Sequence, residues 1–190
     1  MAKMRKYMTG FLAVLIVGAA LFTAGCDKTE KTPAADPASG KPGTSAATEN
    51  SPAQKPATVE VRLYYPDNEG EKVVPVKAKV AEKEKYRAAV EELVKGTSEP
   101  GLTGIFPKGV KVNRVTVKNG LAVVDFSPEL VERFVGGSTG EEMLIGSLVN
   151  TLTEFPEITT VQITVNGKEI ETISGHLDTS APFPRQTDLL

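Results

Sequence analysis

The sequence predicts an α+β fold in the order ββαββαβ, with two main helices packed on one face of a mixed or antiparallel sheet. Three observations lead there. Several short segments alternate apolar and polar residues at the period of a half-buried strand. Two longer segments carry an apolar stripe at helical spacing, and two Asn-Gly pairs separate alternating segments where a tight hairpin is required.

Thr58 to Tyr65 sets Val59, Val61 and Leu63 against Glu60, Arg62 and Tyr64, and Pro66-Asp67-Asn68-Glu69-Gly70 then turns the chain. Lys72 to Val80 reads as a second strand whose Pro75 belongs at an edge or a bulge, because proline cannot donate to a ladder. Tyr86, Ala89, Val90, Leu93 and Val94 mark one face of a helix over about Lys83 to Lys95, with Gly96 placed as its left-handed C-terminal stop. A loop punctuated by Gly and Pro follows, from Gly101 to Gly109. Val110, Val112, Val115 and Val117 then trace a strand whose buried face changes, which a bulge at Asn113-Arg114 accommodates.

Asn119-Gly120 signals a type I′ turn into a strand from Leu121 to Phe126. Ser127-Pro128-Glu129 suits the start of a short helical turn. Ser138-Thr139-Gly140-Glu141-Glu142 has the spacing of a capping box that opens a helix to about Phe155. Leu144, Ile145, Leu148, Val149, Leu152 and Phe155 stripe that helix, and Pro156 ends it. Val161, Ile163 and Val165 alternate in a further strand, which Asn166-Gly167 turns toward a short return strand from about Lys168 to Ile173. Residues 175–190 read as a C-terminal loop or tail.

A chain of 190 residues has room for one such domain plus targeting and linker segments. Its net charge of −2 offers no broad attraction for phosphate, which argues against a nucleic-acid partner. The absence of Trp favours a packed core of Val, Leu and Ile over an aromatic-lined pocket.

The amino-terminal end is organised for export. Lys3, Arg5 and Lys6 form a positive region, and Phe11 to Phe22 supply an apolar stretch too short for a comfortable bilayer span. Thr23-Ala24-Gly25-Cys26 resembles the lipobox at which bacterial lipoprotein signal peptides are cut before a lipidated Cys, with Thr23 standing where Leu is usual. Residues 1–25 are therefore read as the signal peptide and Cys26 as the lipidation site. Two or three acyl chains hold far more firmly than one, at about 0.8 kcal/mol per buried methylene. Asp27 resembles an inner-membrane retention signal of bacteria with two membranes. Residues 26–57, rich in Pro, Ala, Ser, Thr, Gly and Lys, read as a lipidated amino terminus and disordered tether, and residues 58–174 as the folded domain.

No motif for a catalytic, cofactor or metal site survives inspection. His176 with Asp178 and Ser174 imitates a hydrolase triad, but neighbouring loop residues rarely reach that geometry, so a solvated loop is the better reading. One His and one Cys cannot build a metal cluster. Gly136-Gly137-Ser138-Thr139-Gly140 hints at an anion cradle, yet it lacks a P-loop Lys and is followed by Glu141-Glu142, so helix capping is preferred. Glu91-Glu92 and Glu141-Glu142 diverge by about 100° around their helices and read as solvated faces. Tyr64-Tyr65 could form a stacking platform, but alternation sends the rings to opposite faces, with one of them in the core.

Several segments together resemble the GerMN domain, a module of bacterial sporulation and spore-germination lipoproteins. They are Val61-Arg62-Leu63-Tyr64-Tyr65-Pro66-Asp67, Leu93-Val94-Lys95-Gly96, Ile105-Phe106-Pro107-Lys108-Gly109, Asn119-Gly120-Leu121-Ala122-Val123-Val124-Asp125-Phe126-Ser127 and Thr151-Leu152-Thr153-Glu154-Phe155-Pro156. One copy is present where some relatives have two. The resemblance implies a fold similar to ring-building motifs and a role in envelope assembly, with no catalytic residue carried over. The expectation is a non-enzymatic lipoprotein on the extracytoplasmic face of a bacterial membrane, acting on envelope proteins, with oligomerisation left open. The competing expectation is a binding module for a small solute, glycan or peptidoglycan fragment. Replacing Cys26 with Ser is expected to abolish incorporation of labelled fatty acid and membrane retention; labelling at wild-type level would refute the assignment of Cys26.

Overall fold

A computed structural model describes residues 57–190; Cys26 and the segments read as signal peptide and tether, up to residue 56, lie outside the described residues. The described residues open with an antiparallel ribbon of two strands, β1 (Thr58–Pro66) and β2 (Val73–Ala81). Alternation turns Val59, Val61, Leu63 and Tyr65 to the main core. Pro75 lies opposite Tyr64. The Tyr64 amide points away from β2 and donates to Thr151 Oγ1 at 2.9 Å, so this is a pair without ladder bonds and proline removes none. Asp67 shapes the connecting turn by accepting the Glu71 amide at 2.9 Å through Oδ1.

A 3-10 turn (Glu82–Glu84) leads into helix α1 (Lys85–Lys95), so the α-helix begins two residues later than its apolar stripe suggests. Ala89, Val90 and Leu93 are its buried face. Gly96 does stop the helix, but with φ 85° and ψ −166°, an extended conformation open to glycine rather than the left-handed helical one. Gly104 packs closely against this stop: a Cβ added to Gly104 would lie 3.0 Å from the Gly96 Cα.

The second sheet contains β3 (Val112–Lys118), β4 (Leu121–Phe126), β5 (Thr160–Val165), β6 (Lys168–Glu169) and β7 (Phe183–Pro184). Its order is β3-β4-β5-β6, with β7 also antiparallel to β5. Strand β3 shifts register between Val112 and Arg114, the bulge that its change of face demands. Asn119 and Gly120 both have positive φ, 52° and 84°, as a type I′ turn requires, and Asn166 and Gly167 repeat the pattern. Strands β4 and β5 run parallel, so a crossover must join them. It contains the short helix α2 (Glu129–Glu132) and the long helix α3 (Ser138–Leu152).

Helix α3 is buried on nearly every side: Glu141 and all residues from Met143 to Leu152 are inaccessible or nearly so. It lies chiefly along β1 and also meets α1, β2 and β5. One contiguous core joins both sheets to α1 and α3, while Tyr64, Val73, Met143 and Leu189 form a separate small cluster on the other side of β1.

Four sequence expectations change here. The strands divide between two sheets, a division that alternation alone leaves open. Helix α3 ends at Leu152 rather than Phe155, with Thr153 and Phe155 continuing in turns bonded to Val149 and Leu152. The return strand after Asn166-Gly167 is two residues long. The tail expected as loop supplies β7 and a closing 3-10 turn, Thr187–Leu189.

The two Asn-Gly hairpins should respond unequally to alanine. At Gly167 a Cβ meets open space, and the cost is the left-handed backbone alone, about 1–2 kcal/mol. At Gly120 it would also stand 2.8 Å from Thr159 Oγ1, so Gly120→Ala is expected to cost about 1 kcal/mol more in urea unfolding. Equal losses would show that the Thr159 contact is relieved without cost.

Candidate functional site

Polar chemistry gathers at both ends of α3, where residues 172–190 supply the partners as a strap. At the amino-terminal end of α3 stands Glu141, fully buried. Its Oε1 accepts the Thr172 hydroxyl at 2.8 Å and the amides of Ile173 and Ser174 at 2.9 and 3.2 Å. Its Oε2 accepts the Ser174 hydroxyl at 2.7 Å and the His176 amide at 3.0 Å. Burial pushes this carboxyl up, but the hydroxyls of Ser174 and Thr172 and the amides of Ser174 and Ile173 outweigh it and hold the pKa down at about 2. Glu141 is thus ionised in the interior, its charge met by five donors from one loop.

At the other end, the Asn150 side chain pairs with backbone as a strand would. Its Nδ2 donates to the Gln186 carbonyl and its Oδ1 accepts the Gln186 amide, both at 2.9 Å. Arg185 beside it donates to Glu154 Oε1 at 2.6 Å, Tyr64 Oη at 2.9 Å, Thr153 Oγ1 at 3.0 Å and the Asn150 carbonyl at 3.2 Å. Tyr64 in turn donates to Glu154 Oε1 at 2.7 Å, and Arg62 reaches Oε2 at 3.0 Å. Burial raises the Glu154 carboxyl, but Tyr64 and Arg185 outweigh it and the group lies below its ordinary range. Between these polar clamps Leu189 rests on Gly146, where an added Cβ would come within 2.4 Å of Leu189 Cδ1.

The family described as Germane, sporulation and spore germination, matches residues 62–171. The chain belongs to that family. Across 124 residues it is 34% identical to the spore germination protein GerM of Bacillus subtilis (strain 168), a match covering 59% of this chain and 32% of the relative. It is also similar to the solved tandem GerMN domains of the sporulation protein GerM from Bacillus subtilis, at 31% identity and a TM-score of 0.55, covering 68% of this chain and 45% of that one. The first GerMN domain of the same protein compares at 26% identity and a TM-score of 0.50, covering 70% of this chain and 97% of that one. The chain therefore spans about a third of the length of its curated relative.

In this Germane domain the residues weighed as a triad do not assemble. The Ser174 hydroxyl is committed to Glu141, Asp178 accepts the Ser180 amide and hydroxyl at 2.9 and 2.6 Å, and His176 is exposed. Ser138 to Glu142 do not form the expected capping box: Gly137 occupies the cap position without a side-chain bond, and Glu141 turns inward instead of back to the helix start. That also corrects the reading of Glu141-Glu142 as a solvated pair, since only Glu142 is exposed. Both tyrosines are buried, on opposite faces of β1. Burial, and secondarily the charge of Glu92, pushes the Tyr65 hydroxyl up to about 12. Among the described residues no group of three or more His, Cys, Asp or Glu is placed to hold a metal ion.

Asp125 carries a role that the strand pattern does not announce. Its Oδ1 accepts the Gly167 amide at 2.6 Å and the Thr164 hydroxyl at 3.1 Å, and its Oδ2 accepts Asn113 Nδ2 at 3.1 Å. One carboxylate thus ties the β3 bulge to the second Asn-Gly turn. A shallow groove of about 380 Å³ runs between β1 and the turn after α3, lined by Val59, Val61, Arg62, Lys85, Phe155 and Pro156. Its rim is self-satisfied: Glu157 accepts Lys85 Nζ at 2.6 Å and the Tyr86 hydroxyl, and these two bonds hold its carboxyl at about 2.

Glu141 sets an acid limit on the domain. Its folded-state pKa of about 2 lies below the ordinary 4.5, so its stabilisation is complete above about pH 5 and is lost as pH falls from there toward 2. Glu141→Gln is expected to cost about 2–3 kcal/mol at pH 7, since the variant leaves donors of the loop unsatisfied, and to flatten that acid limb. Urea unfolding between pH 3 and 7 measures both; an unchanged acid limb would remove Glu141 as its source.

Proposed function

We propose that this chain is a lipoprotein anchored through Cys26 on the extracytoplasmic face of a bacterial membrane, where its domain serves sporulation or spore germination as a non-enzymatic interaction and assembly module. The observation that carries the reading is the family match over residues 62–171, which spans both sheets and both long helices. Site chemistry supports the non-enzymatic part. The buried carboxylates Glu141 and Asp125 are fully engaged with the domain's own loops, and Glu154 is engaged with Arg62, Tyr64 and Arg185, so each spends its charge on holding structure. The signal-peptide pattern and Thr23-Ala24-Gly25-Cys26 support the anchor. Surface contact with other envelope proteins is then the means of action.

Crosslinking in intact sporulating cells, with the chain expressed at its native level, tests this reading. Recovery of a small, reproducible set of envelope proteins, lost when Cys26→Ser releases the chain from the membrane, is the expected outcome. Recovery of cell-wall glycan alone would overturn the assembly reading in favour of a glycan-binding module.

A further inference from the structure

The strap has a fixed root and a separable arm. Its root, residues 172–179, is held by Glu141 and by buried Thr179, whose amide donates to the Glu171 carbonyl at 2.9 Å and whose carbonyl accepts Gln162 Nε2 at 2.8 Å. Next come Ser180, Ala181 and Pro182, all exposed. Beyond them the arm, Phe183 to Leu190, reaches the domain through β7, the Asn150–Gln186 pair, the Arg185 contacts and Leu189.

Three features make the surface under the arm a peptide-recognition site. Asn150 reads backbone, pairing with the amide and carbonyl of one residue as a neighbouring strand would. Glu154, Tyr64 and Thr153 converge on a guanidinium. Gly146 leaves a notch, walled by Val73, that takes a leucine four residues further on. Leu189 belongs to the small cluster with Tyr64, Val73 and Met143, separate from the main core, and half-buried Phe183 packs against the edge of that core, so lifting the arm uncovers the main core at Phe183 alone. The family match ends at residue 171, before the strap begins.

We propose that the arm is exchangeable: Phe183–Leu190 leaves its own α3 and seats on the same site of a second copy of this chain, giving a two-fold pair held by two reciprocal arms. A second copy is the occupant because it presents the one sequence shown to fit, with Arg185 against Glu154 and Leu189 against Gly146. The contacts made in trans are those made in cis, so only the exposed Ser180–Pro182 hinge changes conformation. High local concentration, as on a membrane surface, favours the exchange by mass action.

Two complementary variants of the full-length chain, reconstituted on vesicles and carrying donor and acceptor fluorophores, test the exchange. Glu154→Ala spoils the site and leaves the arm intact, whereas Arg185→Ala spoils the arm and leaves the site intact. Each alone is expected to pair as the parent does, because it weakens the same contact in cis and in trans. Mixed, they should pair with each other roughly tenfold more than either variant pairs with itself, because only the mixed pair unites an intact arm with an intact site. No pairing of the parent chain, or no gain on mixing, overturns the proposal, because a contact confined to one molecule cannot be completed by a neighbour. Hydrogen exchange in β4 and β5 checks that both variants keep the core. Should either lose it, Glu154→Gln and Arg185→Gln replace the pair, and the same two outcomes decide.

Discussion

A helix buried on nearly every side needs partners for the polar groups that it carries inward, and, the unpartnered Ser147 hydroxyl apart, much of this domain can be understood as the set of partners that α3 requires. Thr151 meets the free edge of β1 and accepts the Tyr64 amide, so the strand edge and the hydroxyl satisfy each other. Asn150 meets the backbone of Gln186, and Glu141 meets a loop of donors. Losing any of these partners would strand a polar group in a low-dielectric interior, at about 1–3 kcal/mol each and more for the charge. The strap is therefore part of the fold.

Elements whose cause is local were legible in the sequence. Both Asn-Gly turns, the alternating strands, the β3 bulge and the place of Pro75 follow from backbone sterics and from period-two burial, which neighbouring residues determine among themselves. What escaped has causes remote in the chain. Ser138 and Glu141 have capping-box spacing, yet the partners that claim the carboxylate lie 31 to 35 residues further on. The tail of residues 175–190 lacks apolar periodicity because polar clamps hold it together with the scattered Leu177, Phe183 and Leu189, and such contacts leave no periodic trace.

The same contrast separates the two tyrosines. Alternation correctly places Tyr64 and Tyr65 on opposite faces, but a two-layer reading allows only one of those faces to be buried. The strap supplies the missing cover, closing over Tyr64 with Arg185 while Tyr65 enters the main core. The Germane match over residues 62–171 includes both faces of β1 but not the segment that covers the outer one.

Chain order gives the Glu141 cradle a consequence for biogenesis. A polypeptide emerges amino end first, so α3 is complete before residues 172–176 exist outside whatever channel or ribosome delivers them. Until then the helix carries an ionised group that cannot be buried without penalty, and its docking between the sheets stays incomplete. Arrival of that last loop converts a repelling element into a buried one, so the domain closes only when nearly all of it has been delivered.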